Sequence, residues 1–284
     1  MSDFLTARPQ PVALTIAGSD SGGNAGIQAD LRAFHAFGVH GCTAITALTA
    51  QNPEGVRAVQ AATPAFLSQQ LDAIFDAYSV GAIKTGMLLN AELIEATAAS
   101  LAKHRTIPKV VDPVMIATSG ARLLEESAVK AMQSRLLPQA TLITPNLPEA
   151  AALLGHDVTD LASAGVAARE LSARFGCSVL VKGGHAEKNA SSDVLCSGGT
   201  LWLLSTPVVR QPLSLHGTGC TLSAAIAAAL AGGLPLLEAV CAAKGYVYDV
   251  IRAGRAVGPR AGVLGMTRHR PSAKVVVKPF NEKA

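Results

Sequence analysis

Val12-Ala13-Leu14-Thr15-Ile16-Ala17, then Gly18-Ser19-Asp20-Ser21-Gly22-Gly23-Asn24-Ala25-Gly26, then Ile27-Gln28-Ala29-Asp30-Leu31-Arg32-Ala33-Phe34-His35-Ala36-Phe37 decides the fold. An apolar run of strand length leads through a glycine-rich turn into a segment with apolar residues three and four apart, which predicts strand, loop and helix. Runs of strand length recur at residues 42–48, 82–85, 109–111, 142–144 and 178–181. Between them, residues 64–77, 91–103, 125–137 and 161–175 carry helical spacing. Strands alternating with helices predict βαβ units: an α/β fold whose central, mainly parallel sheet is flanked by helices.

After Lys182 the pattern changes. Short strands at residues 193–196 and 202–205 flank Ser197-Gly198-Gly199, a hairpin turn that predicts an antiparallel edge. Final helices are predicted at 221–231 and 236–253, parted by Gly232-Gly233-Leu234-Pro235. No linker or internal repeat divides the chain, so residues 1–270 read as one domain and 271–284 as a solvated basic tail.

Composition narrows the function. The 284 residues are 49% hydrophobic and 15% charged, a balance suited to parallel strands buried on both faces. The net charge of +4 comes with no aromatic interleaving, so no nucleic-acid partner is expected. Residues 221–243, the longest apolar stretch, are interrupted by Gly232, Gly233, Pro235 and Glu238, and no membrane partner is expected. Five scattered cysteines without a CxxC pair fit neither a disulfide framework nor a zinc cluster and point to a reduced cytoplasmic home.

Chemistry is expected beyond the carboxyl ends of the parallel strands. Residues 18–26 hold four glycines in nine positions, allowing close backbone approach to a ligand, with Asp20 as an acceptor. The loop matches neither the Walker nor the dinucleotide pattern. In Thr144-Pro145-Asn146-Leu147-Pro148-Glu149 the spacing supports a capping box, and equally a water shell around Mg²⁺. Lys182, at a strand end before Gly183-Gly184-His185, reads either as a point charge for a nucleotide phosphate or as a solvated lysine; His185 reads as packed or capping.

His216-Gly217-Thr218-Gly219-Cys220 opens an Ala-rich helix, placing successive N–H groups at a positive helix end. Such a site suits a phosphoryl group. Cys220 reads as a base, its thiolate favoured by the helix dipole, or as a small packing residue. Gln51 carries the amide donor and acceptor needed to read an aminopyrimidine-like edge, and Met87 can pack on a ring face, but taken alone they read as a surface polar and a core apolar residue and define no site.

Seven stretches in order, GSDSGGNAGIQAD (18–30), TALTAQN (46–52), KTGM (84–87), VVDPVM (110–115), TPNLPEAAAL (144–153), VLVKGGH (179–185) and HGTGCTLSAAI (216–226), resemble the hydroxymethylpyrimidine and phosphomethylpyrimidine kinases of thiamine biosynthesis. The resemblance spans about residues 13–253 and implies a ribokinase-like fold, ATP with Mg²⁺, a likeness to homodimers, and two successive phosphorylations. It also implies that Gln51 bonds the pyrimidine and that Asp20, Ala25, Asp30 and Met87 lie at the substrate pocket. By the same resemblance Asp112, Asn146 and Glu149 organise Mg²⁺ and phosphates, Lys182 serves ATP, and Gly217, Thr218, Gly219 and Cys220 form the anion hole. Cys220 stands where sugar kinases of the wider fold carry an aspartate base. Asn24 and Thr118 depart from the family pattern, replacing a common glycine and a common lysine. A pyridoxal or pyridoxine kinase of the same fold is the nearest alternative, and a ligand sensor without turnover a more distant one; a fused thiamine-phosphate synthase domain is not expected in a chain of this length.

Overall fold

The computed structural model describes residues 9–115, 124–183, 190–210, 216–258, 261–269 and 275–281. Thr118 and His185 lie outside the described residues. In chain order the elements are β1 (Val12–Asp20), α1 (Gly26–Ala36), β2 (His40–Asn52), β3 (Gly55–Ala61), α2 (Pro64–Ala77), β4 (Val80–Thr85), α3 (Ala91–Leu101), β5 (Lys109–Val111) and α4 (Glu126–Ala131). There follow β6 (Leu142–Ile143), α5 (Leu147–Leu154), α6 (Leu161–Phe175), β7 (Ser178–Lys182), β8 (Ala190–Ser197), β9 (Thr200–Pro207), α7 (Thr218–Ala231), α8 (Leu236–Arg252), β10 (Arg255–Gly258), β11 (Ala261–Val263) and β12 (Val276–Pro279).

Ten strands form one sheet in the order β12-β9-β8-β7-β6-β5-β4-β1-β2-β3, and β10 and β11 pair separately. From β7 to β2 every pairing is parallel, as the sequence predicts. Antiparallel strands extend both flanks. The Gly198-Gly199 turn has φ of 57° and 78°, and this doubly left-handed geometry lets it join β8 to β9 without splaying them.

Four departures have local causes. Residues 55–61, where the sequence predicts no element, form β3; almost wholly exposed, the strand carries no buried face to mark it in the sequence. The helix expected at 125–137 is α-helical only to Ala131, then loosens into a π turn and a 3₁₀ turn. Pro138, without an N–H, ends the ladder there. Helix α7 begins at Thr218, three residues before the predicted start, because Gly217 takes the cap position at φ 88°. Within the basic tail, expected to be solvated chain, residues 276–279 add β12 to β9, although their side chains remain exposed.

Helices cover both faces. Leu67, Leu93, Ala150 and Leu171 place α2, α3, α5 and α6 in one core, while Phe34, Ile226 and Val240 place α1, α7 and α8 in the other. All nine residues 221–229 of α7 are buried, and their small side chains let the helix lie directly on the sheet between α1 and α8. Overpacking such a position costs about 1–3 kcal/mol. The chain reverses its course at β1, which has β4 on one side and β2 on the other, so a crevice opens at their carboxyl ends. Among the described residues no helix is long and apolar enough to cross a membrane.

Candidate active site

A cavity of about 710 Å³ occupies that crevice. Its wall includes Asp20, Ala25, Gln51 and Met87 at one end, Asn146, Glu149 and Lys182 at the other, and Gly217, Thr218, Gly219 and Cys220 between, with Asp112 among them. Asp30 alone of the predicted site residues does not line the cavity.

The first loop is organised by Asp20, whose two carboxylate oxygens accept from the backbone N–H groups of Gly22, Asn24 and Ala25 at 2.8, 2.9 and 2.8 Å. Asp20 was read as a ligand acceptor; its oxygens are engaged in shaping the loop. Gln51 accepts from Thr49 Oγ1 at 3.3 Å through Oε1, while its Nε2 donates to no described residue. Met87 lies over the end of β1, its terminal methyl 2.6 Å from where a Cβ at position 18 would sit, so a side chain there would push the methionine aside.

Asp30 sits beneath this end, fully buried, with Lys84 Nζ at 3.0 and 2.8 Å from its two oxygens and Thr15 Oγ1 donating at 2.6 Å. It acts below the pocket wall rather than on a ligand. Burial pushes the Asp30 carboxyl up against the opposing pull of Lys84. Burial would lower the Lys84 ammonium, but the adjacent Asp30 carboxylate, with Cys220 and Asp112, raises it above its ordinary value.

At the opposite end the capping box of α5 is complete: Asn146 Oδ1 accepts from Glu149 N at 2.8 Å and Glu149 Oε2 from Asn146 N at 2.9 Å. Lys182 is not solvated. Its Nζ donates to Asp112 Oδ1 at 2.9 Å and lies 3.9 Å from Glu149 Oε2. Asp112 also accepts from Thr144 Oγ1 and from Ser223 Oγ, each at 3.2 Å. Burial works to raise the Asp112 carboxyl, and Lys182, Lys84 and these hydrogen bonds outweigh it, leaving it below the usual carboxylate range. Burial drives Glu149 the other way, up to about 7.

These two carboxylates fit a magnesium ion. No cluster of three or more His, Cys, Asp or Glu capable of holding a metal occurs among the described residues, whereas Mg²⁺ bound with a nucleotide needs only one or two carboxylates and keeps its waters. A Glu149 carboxyl raised by burial is also a group that a nearby cation would return to its charged form.

The turn before α7 separates the two ends. At Gly217 the backbone is left-handed, and a Cβ would collide with the carbonyl of Asn24, so glycine is required twice over. The earlier start of α7 puts Thr218, Gly219 and Cys220 in its first turn, whose N–H groups have no intrahelical partners. The expected lowering of the Cys220 thiol is overturned. Desolvation raises it, and the Lys84 ammonium and a hydrogen bond from the Gly26 N–H only partly oppose that. The side chain lies in the cavity wall and retains some accessible surface.

Sequence reasoning missed Asp193 and Lys244, which meet at 2.5 Å in the cavity wall. Asp193 also accepts from Gly183 N at 3.1 Å, fixing the chain just after Lys182. Fifty-one residues separate the pair, and nothing local announces it.

A mainly parallel sheet, an open helix N-terminus at its switch point, and a lysine held between two carboxylates define the class of small-molecule kinases with the ribokinase-like fold. Residues 20–265 match the family model described as phosphomethylpyrimidine kinase. The chain is 47% identical to the hydroxymethylpyrimidine/phosphomethylpyrimidine kinase of Synechococcus elongatus, over 90% of this chain and 97% of that one. It is 46% identical, over 88% of its length, to a thiamine biosynthesis bifunctional protein of Geobacter sulfurreducens, and it spans 51% of that longer protein. Among solved structures, a pyridoxal kinase from Staphylococcus aureus in complex with ADP superposes with a TM-score of 0.87 at 32% identity, covering 96% of this chain and all of that one. A phosphomethylpyrimidine kinase from Clostridium difficile gives 0.76 at 37%, covering 85% of this chain and 100% of that one. The chain belongs to the phosphomethylpyrimidine kinase family and is a phosphotransferase.

Proposed function

We propose that this kinase uses ATP with Mg²⁺ to phosphorylate 4-amino-5-hydroxymethyl-2-methylpyrimidine and then its monophosphate, in thiamine biosynthesis. The observation that carries the reading is one cavity holding Gln51 and Met87 at one end, Asn146 and Lys182 at the other, and the open turn 217–220 between them.

Gln51 hydrogen-bonds the aminopyrimidine edge, and Met87 packs against the ring. Ala25 and the Asp20-ordered loop close on the substrate, holding its hydroxymethyl group toward Cys220. Cys220 takes the hydroxyl proton, and the N–H groups of Thr218, Gly219 and Cys220 hold the charge spread over the transferring phosphoryl oxygens. Asn146 and Lys182 position the nucleotide phosphates. Asp112 and Glu149 would hold Mg²⁺, which neutralises phosphate charge when bound. The protein works as a cytoplasmic homodimer in this reading.

Pyridoxal is a second candidate substrate, favoured by the similarity to pyridoxal kinase structures. Purified protein incubated with ATP and either compound, with and without a divalent-cation chelator, tests both. Mono- and diphosphorylated pyrimidine detected by mass spectrometry, and lost with the chelator, is the expected result; a clear preference for pyridoxal overturns the pyrimidine assignment.

A further inference from the structure

Asp193 and Lys244 stand in the cavity wall as an ion pair, yet neither has a part in the chemistry above. Both side chains are more than nine-tenths buried. Burying two charges costs several kcal/mol per ion, and a well-packed apolar pair of similar volume often serves stability as well or better. Stability alone is therefore a poor reason for this pair, and its hydrogen bonds point to another role.

Asp193 divides its two oxygens between two elements. Oδ2 accepts from Lys244 Nζ, which reaches it from α8, while Oδ1 accepts from the N–H of Gly183, the residue that follows Lys182 at the end of β7. Lys182 and Asp193 stand opposite each other in the β7–β8 register. The N–H of Lys182 itself donates to Pro145 O at 2.8 Å. The chain that carries Lys182 is thus held at two successive N–H groups, one by the turn before α5 and one by Asp193. Gly183 has no slack of its own: a Cβ there would lie 2.5 Å from Ser192 O and 2.9 Å from Leu161 Cδ2. The pair also joins the two walls of this end of the cavity, to which β8 and β9 supply Ser191, Thr206 and Pro207, and α8 supplies Val247 and Ile251.

We propose that Asp193, locked by Lys244, is a positioning residue that fixes the Gly183 N–H and so holds Lys182 where the nucleotide phosphates bind. The inference rests on the reading of Lys182 as the point charge for those phosphates. Without Lys244 the buried carboxylate turns toward the water of the cavity and releases the Gly183 N–H, and the end of β7 is free to shift. The Lys182 ammonium then leaves its place beside Asp112 and Glu149. Such a shift weakens the grip on ATP and spares the pyrimidine end, which is built on the loops after β1, β2 and β4.

Steady-state kinetics on paired substitutions test this. Asp193→Leu with Lys244→Met replaces the ion pair by apolar side chains of similar volume and removes the acceptor of the Gly183 N–H. A cooperative thermal melt should be retained while KM for ATP rises about tenfold, kcat changes less than that, and KM for the pyrimidine stays within about twofold. Asp193→Asn alone leaves the Lys244 ammonium unpaired and should raise KM for ATP about fivefold; adding Lys244→Gln restores a neutral hydrogen-bonded pair and should bring KM back to within about twofold. This second set serves where the apolar pair fails to fold by circular dichroism. Unchanged KM for ATP in the folded apolar pair, or in folded Asp193→Asn, overturns the proposal, as does a rise in both KM values together. A rise that Lys244→Gln does not reverse overturns it too, since Asp193 would then act without Lys244. Lys182→Met with an unchanged KM for ATP overturns the reading of Lys182 instead, and that variant leaves the ion pair intact.

Discussion

Two helices point their N-termini at the same cavity, and they are finished in opposite ways. At α5, Asn146 and Glu149 satisfy each other's backbone N–H groups, so the helix end is closed by its own side chains. At α7 the cap residue is Gly217, which has no side chain to offer. The positive end of α7 is therefore left for an outside anion, whereas α5 lends the cavity side chains rather than backbone donors. A capped end stabilises the apo protein; an uncapped one holds binding energy in reserve for the ligand.

The largest effect should come from closing the open end. Gly217→Ala would force a left-handed alanine into the carbonyl of Asn24, displacing the first loop and the turn together. A loss of roughly 10³-fold in turnover and about 2 kcal/mol or more in stability is expected, read by steady-state kinetics and denaturant melts. Turnover within tenfold of the original would show that the turn does not hold the phosphoryl group. Next comes Cys220→Ala, which keeps the turn and removes the proton acceptor. ATP binding should persist while kcat falls by roughly 10²-fold or more. Near-normal kcat would leave the anion site standing and reduce the cysteine to packing.

The closed end can be tested without opening it. Aspartate caps helices as well as asparagine, so Asn146→Asp should leave thermal stability within about 0.5 kcal/mol. The added negative charge would face the nucleotide phosphates, and KM for ATP should rise roughly tenfold. Unchanged KM would confine Asn146 to its capping bond; a fall in stability with unchanged KM would sharpen the contrast between the two helix ends.

How much of this the sequence discloses depends on whether the cause is local. The βα order is legible because apolar runs buried on both faces, such as residues 12–17, announce themselves. The capping box is legible because its partners lie three residues apart. Edge strands β3 and β12 are not, since exposed side chains impose no pattern and pairing alone makes them strands. The direction of the Cys220 shift is hidden for a different reason. The helix dipole can be inferred from the turn, but the desolvation that raises the thiol comes from packing by distant segments. Lys84 and Asp30, 54 residues apart, meet only once β4 lies beside β1 and α1 covers them.

The smallest effect concerns the far edge of the sheet. β12 is exposed at all four positions and pairs only with β9, while Phe280 N donates to Leu201 O and its partly buried ring packs against the core. The cavity wall takes Thr206 and Pro207 from the end of β9, beyond the residues that β12 pairs with. Deleting residues 271–284 should therefore leave kcat and KM within about twofold. It should also cost about 1 kcal/mol, a fall of roughly 2–4 °C in Tm for a chain of this size. The freed edge of β9 should raise aggregation in light scattering, because an unpaired strand is a template for another chain. A large loss of turnover would mean that the tail supports the nucleotide end through β9, and the division between a working centre and a passive edge would have to be redrawn.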